Sequence, residues 1–322
     1  MFSVSRAALL DTIVIGAGSA GLSAALVLGR ARRRVLVLDG GPPRNAPADA
    51  AHGFLTRDGT PPAELLEIAR AQLAPYPVQV VQAQAERAHA ADGGFEVALQ
   101  DGGTYHARRL LLATGVTDVL PDLPGLREGW GRSVHHCPYC HGWEVRDQAV
   151  ADLVPAGGDM AFHRGVLLRQ WTPNLTVLTH GGSPLSGEQR AQLKALGVTV
   201  DPRPVAAWTG TEVRFQDGST LAHDVLFVTP TLRQRSDLPD LLGCERVETG
   251  ALPGVLLKVQ AESGLTSVPG VYAAGDIVGE QQVLLAAASG ARAAYAINTE
   301  LCFLDARRAA EAAEGPAAHA IL

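Results

Sequence analysis

Residues 12–39 read TIVIGAGSAGLSAALVLGRARRRVLVLD. An apolar run, a glycine turn, an Ala/Leu-rich stretch and a second apolar run follow one another, which is the order strand, turn, helix, strand. Gly16, Gly18 and Gly21 satisfy G-x-G-x-x-G, a weak signal alone and a strong one between a strand and a helix. The first glycine makes the tight turn, the second lets backbone approach a pyrophosphate, and the third packs helix against strand. Ser19 and Ala20 open the helix, whose N–H groups then face the phosphates. Asp39-Gly40 ends the second strand, where an acid reaches a ribose hydroxyl. The bland alternative is a glycine turn that holds nothing.

Outward from this unit, the 322 residues exceed one ordinary domain and predict two. Turn signals at Asp92-Gly-Gly and Asp101-Gly-Gly bracket the alternating run Phe95-Glu-Val-Ala-Leu, and the apolar strand around 109–113 ends in Ala113-Thr114-Gly115. The order then repeats: a strand at 149–154, a glycine-containing turn, a helix through 166–171, a strand at 175–179, a turn near Asp217-Gly and a strand at 224–229. Two diverged copies of one architecture are predicted, an α/β fold of two Rossmann-like, three-layer ββα units. Gly270-Val-Tyr-Ala-Ala-Gly275-Asp276 and an Ala-rich helix close the chain, and residues 306–322 read as a surface helix without function. Small residues at both strand ends let backbone approach a large cofactor. Asp276 is placed either to bond a ribityl hydroxyl or to cap the helix after it.

Hydrophobic residues make up 47% and charged residues 19%, the balance of a compact, water-soluble protein. A net charge of −6 argues against nucleic acid, which needs a basic face. No 18 consecutive apolar residues occur, so no membrane span is expected. The opening MFSVSRAALLD is too short and interrupted for a secretory core, which points to the cytoplasm. Of four cysteines only Cys137 and Cys140 are close, fitting a reducing compartment with one functional pair.

That pair lies in HHCPYCHGWE, residues 135–144. C-x-x-C-H fits haem attachment, two cysteines among three histidines fit part of a zinc site, and C-x-x-C fits a redox dithiol. Haem attachment sits poorly with the absence of an export signal. Zinc lacks a second C-x-x-C or a distant histidine pair to complete four ligands, so no metal is expected. His135, the most remote from the pair, reads as a packing residue.

Taken together, GAGSAG with Asp39, the ATG, the intervening C-x-x-C, the second nucleotide-type unit and GVYAAGD resemble the low-molecular-weight thioredoxin reductases, FAD-dependent disulfide oxidoreductases. The resemblance spans nearly the whole chain. It implies FAD, a discontinuous FAD domain of residues 1–117 and 243–322, an inserted domain of 118–242 carrying the dithiol, and a homodimer. It further implies flavin contacts from Gln282 and Val283 before the closing helix, and from Arg44, Asn45 and His52 in loops after Asp39. Cys140 is implied to face the flavin and Cys137 to exchange with substrate.

Two departures qualify the resemblance. Thioredoxin reductases carry Asp directly after the second cysteine, and this chain carries His141. Cys-Pro-Tyr-Cys-His-Gly is similar to the flavin-dependent dithiol oxidases of the gliotoxin and holomycin type, where the histidine is implied to be the base. An imidazole accepts a thiol proton near neutral pH, and His136 is the second candidate. The other departure is the NADPH turn, which reads Leu153-Val-Pro-Ala-Gly-Gly-Asp-Met-Ala161. Pro155 and Ala156 replace the tight-turn geometry, Asp159 adds a charge repelling pyrophosphate, and His180 stands where an arginine pair grips a 2′-phosphate. NAD(P)H binding is therefore doubtful. The expected function is an FAD-dependent dithiol/disulfide oxidoreductase whose substrate is a small thiol or disulfide, or a thioredoxin-like protein. An NAD(P)H-dependent reductase and a non-catalytic flavin redox sensor are the alternatives.

Overall fold

The computed structural model describes residues 9–248 and 253–314. The first unit opens with β1 (Leu9–Ile15), α1 (Ser19–Arg30), β2 (Val35–Asp39), α2 (Pro62–Ala71) and β3 (Val78–Gln82). The hairpin strands β4 (Ala85–Ala91) and β5 (Gly94–Leu99) and the long β6 (Thr104–Leu112) follow. The sheet order is β3-β2-β1-β6-β5-β4, with β1 parallel to both β2 and β6.

β7 (Val116–Val119) leads out, past the single turn α3 (Leu126–Gly129), into β8 (Val134–His135), α4 (Pro138–His141), β9 (Val150–Leu153), α5 (Gly158–Leu168), β10 (Leu175–Leu178), α6 (Gly187–Ala195) and β11 (Thr199–Asp201). An antiparallel meander comes next, β12 (Val205–Trp208), β13 (Glu212–Phe215) and β14 (Thr220–Ala222), then β15 (Val225–Val228). The second sheet runs β11-β10-β9-β15-β8, all parallel. β16 (Thr231–Gln234) returns antiparallel to β7, so the two crossings between units lie side by side. After α7 (Leu238–Leu241), β17 (Arg246–Glu248) and β18 (Val255–Leu257), the closing strand β19 (Val271–Ala273) pairs parallel with the end of β6. The 32-residue α8 (Val283–Glu314) ends the described chain, and the last residues of the expected tail helix lie outside it.

Both units are therefore three-layered, as their strand sequences require. In β15, Val225 and Phe227 face the helices α5 and α6, while Leu226 and Val228 face the meander residues Trp208, Val213 and Phe215. The first sheet divides likewise. Val14, Val35 and Val37 meet the helices, and Ile13, Leu36 and Leu38 meet Phe95, Val97 and Tyr105. Side chains alternating across a pleated strand cover both faces only if every position is apolar. That is why these strands read as continuous rather than alternating runs. α5 starts at Gly158 and stops at Leu168, three residues before the end expected from sequence, because Arg169–Trp171 turn out of the helix ahead of Pro173. Among the described residues no helix is long and apolar enough to cross a membrane.

α8 crosses α1 at close range because both present small side chains, Ala20, Ala24 and Ala25 against Ala286, Ala293 and Ala294. At the crossing a Cβ on Gly290 would stand 2.0 Å from the Ala20 carbonyl oxygen. The far part of α8 is tied down by ions: Arg33 reaches Asp305 at 2.8 Å, Arg108 reaches Asp305 at 2.6 Å, and Arg109 forks onto Glu300 at 2.6 and 2.8 Å. Overpacking such a contact costs on the order of 1–3 kcal/mol. Gly290→Val is therefore expected to lower the calorimetric unfolding midpoint by several degrees, while Ala288→Val on the exposed side of the same helix leaves it nearly unchanged.

Candidate active site

The turn between β1 and α1 has the geometry its glycines predict. Gly16 sits at φ 115°, and a Cβ there would lie 2.1 Å from the Ala113 carbonyl oxygen. A Cβ on Gly21 would lie 1.9 Å from the Gly16 oxygen, so this glycine packs helix on turn and does not line the cavity beyond. Gly18 is different: nothing stands within 4 Å of where its Cβ would be, and it caps α1 without a side-chain hydrogen bond. The first N–H groups of α1 are thus left for a ligand.

One long cavity starts at this turn. Its walls include Gly16, Gly18, Ser19, Ala20, Asp39, Gly40, Arg44, Asn45, His52, Thr114, Gly115, Gly275, Asp276, Gln282 and Val283, and, at its far end, His136, Cys140 and His141. Of the residues expected from sequence to bind FAD or to act in catalysis, only Gly21 and Cys137 stand off the lining. Cys137 and Cys140 are bonded to each other, with Cα atoms 5.3 Å apart. Cys137 caps α4 and Cys140 lies within it, so the two sulfurs have different outlooks and only Cys140 borders the cavity.

The polar walls are partly pre-engaged. Asp39 accepts from Gly41 N at 3.0 Å and from Arg70 Nη2 at 2.7 Å. Arg70, on α2, carried no sequence signal. Thr114 Oγ1 is buried without a partner, an orphan hydroxyl on the cavity wall.

Arg44 and His52, expected as cofactor contacts, both line the cavity and also have polar partners within the chain. The Arg44 guanidinium forks onto Asp118 at 2.6 and 2.5 Å and reaches Asp276 at 3.1 Å and Gln281 at 3.3 Å. Burial opposes its charge, and the two carboxylates outweigh burial to raise its pKa. Burial also raises the pKa of Asp276, against the pull of Arg44. Asp276 lies in the short 3-10 turn Gly275–Val278 and does not cap α8, which begins at Val283. His52 points its ring nitrogens at Asp58 and Glu144 while its ring lines the cavity. Asp118 was not recognised from sequence, because its partner lies 74 positions away.

The three histidines of the cysteine segment have distinct surroundings. His136 lies under Trp130, rings 5.5 Å apart, with Nε2 3.4 Å from Arg44 Nη2. Burial and the adjacent guanidinium push its pKa down to about 3, which favours the neutral ring. His135 is buried in β8, its ring stacked on His141 at 4.3 Å and tilted against Phe227 at 5.7 Å, as a packing residue should be. Burial lowers its pKa to about 4. His141 is half-buried beside Cys140, and burial lowers its pKa too, although the Glu144 carboxylate works the other way. It remains an unprotonated ring at neutral pH.

Beneath this segment Arg164 of α5 forks onto the fully buried Asp152 at 2.6 and 2.8 Å and reaches the His136 carbonyl at 3.4 Å. Tyr139 and Trp143 project outward around the dithiol, Tyr139 edge-on to Trp171 at 5.4 Å and Trp143 under Arg146. Among the described residues no group of three or more His, Cys, Asp or Glu side chains is arranged to hold a metal ion.

The second glycine turn, between β9 and α5, is closed. Gly158 N donates to the Ser183 carbonyl at 2.7 Å, Gly157 N donates to Val154 O at 2.9 Å, and Ser183 N returns to Ala156 O at 3.2 Å. Gly157 and Gly182 are in backbone contact with this plug, where a Cβ would stand 2.2 Å from Ser183 O or 2.1 Å from Pro155 O. Asp159 accepts from Gln189 at 2.7 Å, and His180 Nδ1 accepts from Val205 N at 2.8 Å. Two backbone donors of this turn, Gly157 N and Gly158 N, are thus taken by the chain itself.

Residues 10–294 match the pyridine nucleotide-disulphide oxidoreductase family. Among curated proteins the chain is 34% identical over 288 residues to the thioredoxin reductase tcpT of Claviceps purpurea, covering 85% of this chain and 88% of the relative. It is 33% identical over 315 residues to the thioredoxin reductase sirT of Leptosphaeria maculans, covering 90% and 94%. Among solved structures, HlmI superposes with a TM-score of 0.87 at 38% identity, over 97% of this chain and 98% of that one. An oxidoreductase from Agrobacterium tumefaciens gives 0.87 at 37% identity, over 92% and 99%. The open glycine turn, the orphan Thr114 hydroxyl and the long cavity fit the FAD that such enzymes carry. The chain belongs to the pyridine nucleotide-disulphide oxidoreductase family, and within it is a thioredoxin reductase-like flavin enzyme.

Proposed function

We propose that this enzyme oxidises a small-molecule dithiol to a disulfide, through Cys137–Cys140 and FAD, without pyridine nucleotide. The observation that carries the reading is the contrast between the two glycine turns. One opens its helix N-terminus onto the cavity that Cys140 and His141 border, and the other donates its N–H groups to Val154 and Ser183. With Gly157 N and Gly158 N engaged, the second turn has fewer donors to offer a dinucleotide phosphate. Electrons then enter through thiols, and dioxygen is the acceptor that takes them from the enzyme.

Gly18, the start of α1, Asp39 and Thr114 would hold the adenosine, pyrophosphate and ribityl portions of FAD, with Gln282 and Val283 at the ring end. FAD bound there supplies a two-electron acceptor beside Cys140. The chain's own part is thiol chemistry. His141 takes the proton of one substrate thiol, and the resulting thiolate attacks Cys137 Sγ. The Cys137–Cys140 bond breaks, and Cys140 departs as a thiolate on the cavity side. The second substrate thiol then attacks the mixed disulfide, releasing substrate disulfide and the Cys137 thiolate. The exposed Tyr139 and Trp143 offer aromatic faces to a compact substrate at this opening.

Anaerobic titration of the purified flavoprotein separates this reading from its rivals. Dithiothreitol is expected to bleach the flavin absorbance, while NADPH and NADH at the same concentration leave it oxidised. Fast bleaching by either nucleotide would place the chain among ordinary reductases. Cys137→Ser and Cys140→Ser are each expected to cut dithiol-driven oxygen uptake at least 100-fold with flavin still bound, which a non-catalytic sensor does not predict. Replacing His141 by Asn is expected to lower the rate at pH 7 by about 10²–10⁴-fold, the range of a lost general base.

A further inference from the structure

Successive side chains of β7 point to alternate faces, as in any strand. Val116 is buried against Leu232 and Leu256, so position 118 belongs to the same inward face, where an apolar residue would be ordinary. The chain places Asp118 there, with a side chain only 6% exposed. A carboxylate removed from water in this way needs a counter-charge.

Arg44 supplies it from a loop that is itself tied down. Gly41 N donates to Asp39 Oδ1 at 3.0 Å, and Arg235 Nη1 donates to the Pro42 carbonyl at 2.7 Å. Arg44 Nε and Nη2 donate to the two Asp118 oxygens at 2.6 and 2.5 Å. Nη1 is left to donate to Asp276 Oδ2 at 3.1 Å and to Gln281 Oε1 at 3.3 Å. A guanidinium holds its donors in one rigid plane, so fixing two of them on Asp118 also fixes the direction of the third. Asp118, Asp276 and Gln281 all border the long cavity. Of the two Asp276 oxygens only Oδ2 is taken, and Oδ1 accepts no hydrogen bond from the described residues. Two negative charges and one positive charge therefore share this corner. Burial is the main cause raising the Asp276 pKa, Arg44 works against it, and Asp118 adds to the rise, as a neighbouring like charge must.

We propose that Asp118 is a positioning residue for FAD, which by gripping Arg44 sets how Asp276 is presented to the cofactor. This rests on FAD occupying the cavity and does not depend on the direction of electron flow at the dithiol. The effect of Asp118 changes sign with its partner. While Arg44 is present, losing Asp118 frees the guanidinium to fork onto Asp276 and take both of its oxygens from the cofactor. Once Arg44 is gone, two carboxylates border the cavity without a counter-charge, and Asp118 turns from a support into a source of repulsion. Removing Asp118 thus harms FAD binding in the first case and helps it in the second.

That change of sign gives a test that simple loss of packing would not reproduce. The full-length protein is stripped of flavin by dialysis against concentrated potassium bromide and titrated with FAD, free FAD being measured by its fluorescence after ultrafiltration. Asp118→Asn, which keeps the shape and removes the charge, is expected to weaken FAD binding about 10-fold, and Arg44→Gln about 100-fold, the scale of a buried charge left unpaired. Arg44→Gln combined with Asp118→Asn is expected to bind about 10-fold more tightly than Arg44→Gln by itself, the non-additivity of coupled neighbours. Thr117→Ala, on the exposed face of β7, leaves the affinity unchanged. Asp118→Asn binding like the wild type, or a combined variant no tighter than Arg44→Gln, would overturn the role of Asp118 while leaving FAD binding standing. Should Arg44→Gln fail to fold, the comparison of Asp118→Asn with Thr117→Ala decides. If the wild type takes up no FAD, the flavin reading itself falls and takes the role of Asp118 with it.

Discussion

The Arg44 guanidinium is the contact on which the site depends. It stands in a loop of the first unit, forks onto Asp118 of β7, reaches Asp276 after β19, and lies against His136 of the cysteine segment. Both Arg44 and Asp118 are largely removed from water. Taking one partner from such a pair typically costs about 3–5 kcal/mol, because the other is left charged and unpaired. One cation thus sets the distance between the cavity, the strand that leads out to the second unit and the dithiol. Together with burial it holds the His136 pKa down.

The two halves of the chain show how one architecture serves two ends. Both have a parallel sheet between helices and a meander, and both have a glycine turn from the first strand into a helix. In the first, Gly18 meets open space, and in the second, Gly157 meets the Ser183 carbonyl. A hydrogen bond from Gly158 to that carbonyl satisfies a donor that would otherwise need water or a ligand. The second unit keeps its core, with Phe227 and Leu153 wholly buried, and holds the dithiol in place through β8 and the Asp152–Arg164 pair. Engaging these turn donors leaves the core untouched, since the core packs against the sheet and the turn lies at its edge.

Much of the cavity was legible because its logic is local. A tight turn, a close backbone approach and a helix start require glycines within six residues of one another, so Gly16, Gly18 and Gly21 declare themselves. Cys137 and Cys140 do so as well, being one turn apart. Arg70, Asp118, Trp130 and Ser183 carry no such mark. Their meaning depends on partners such as Asp39, Arg44, His136 and Gly158, brought near only when the sheets assemble. Arg44 lines the cavity at which it was expected, but its pairing with Asp118 and Asp276 was not legible, because a cation in a loop does not reveal which anions surround it.

By itself, then, the sequence determined the two α/β units, the open dinucleotide turn and the dithiol, all features specified by spacing along a few residues. Tertiary structure decided what surrounds each histidine of the cysteine segment, what Arg44 binds, and that two N–H groups of the second turn donate within the chain. These choices rest on burial and on pairs 74 and 232 positions apart, such as Arg44 with Asp118 and Asp276. The free energy of a buried charge or an unpaired N–H depends on what surrounds it, and only the folded chain supplies those surroundings.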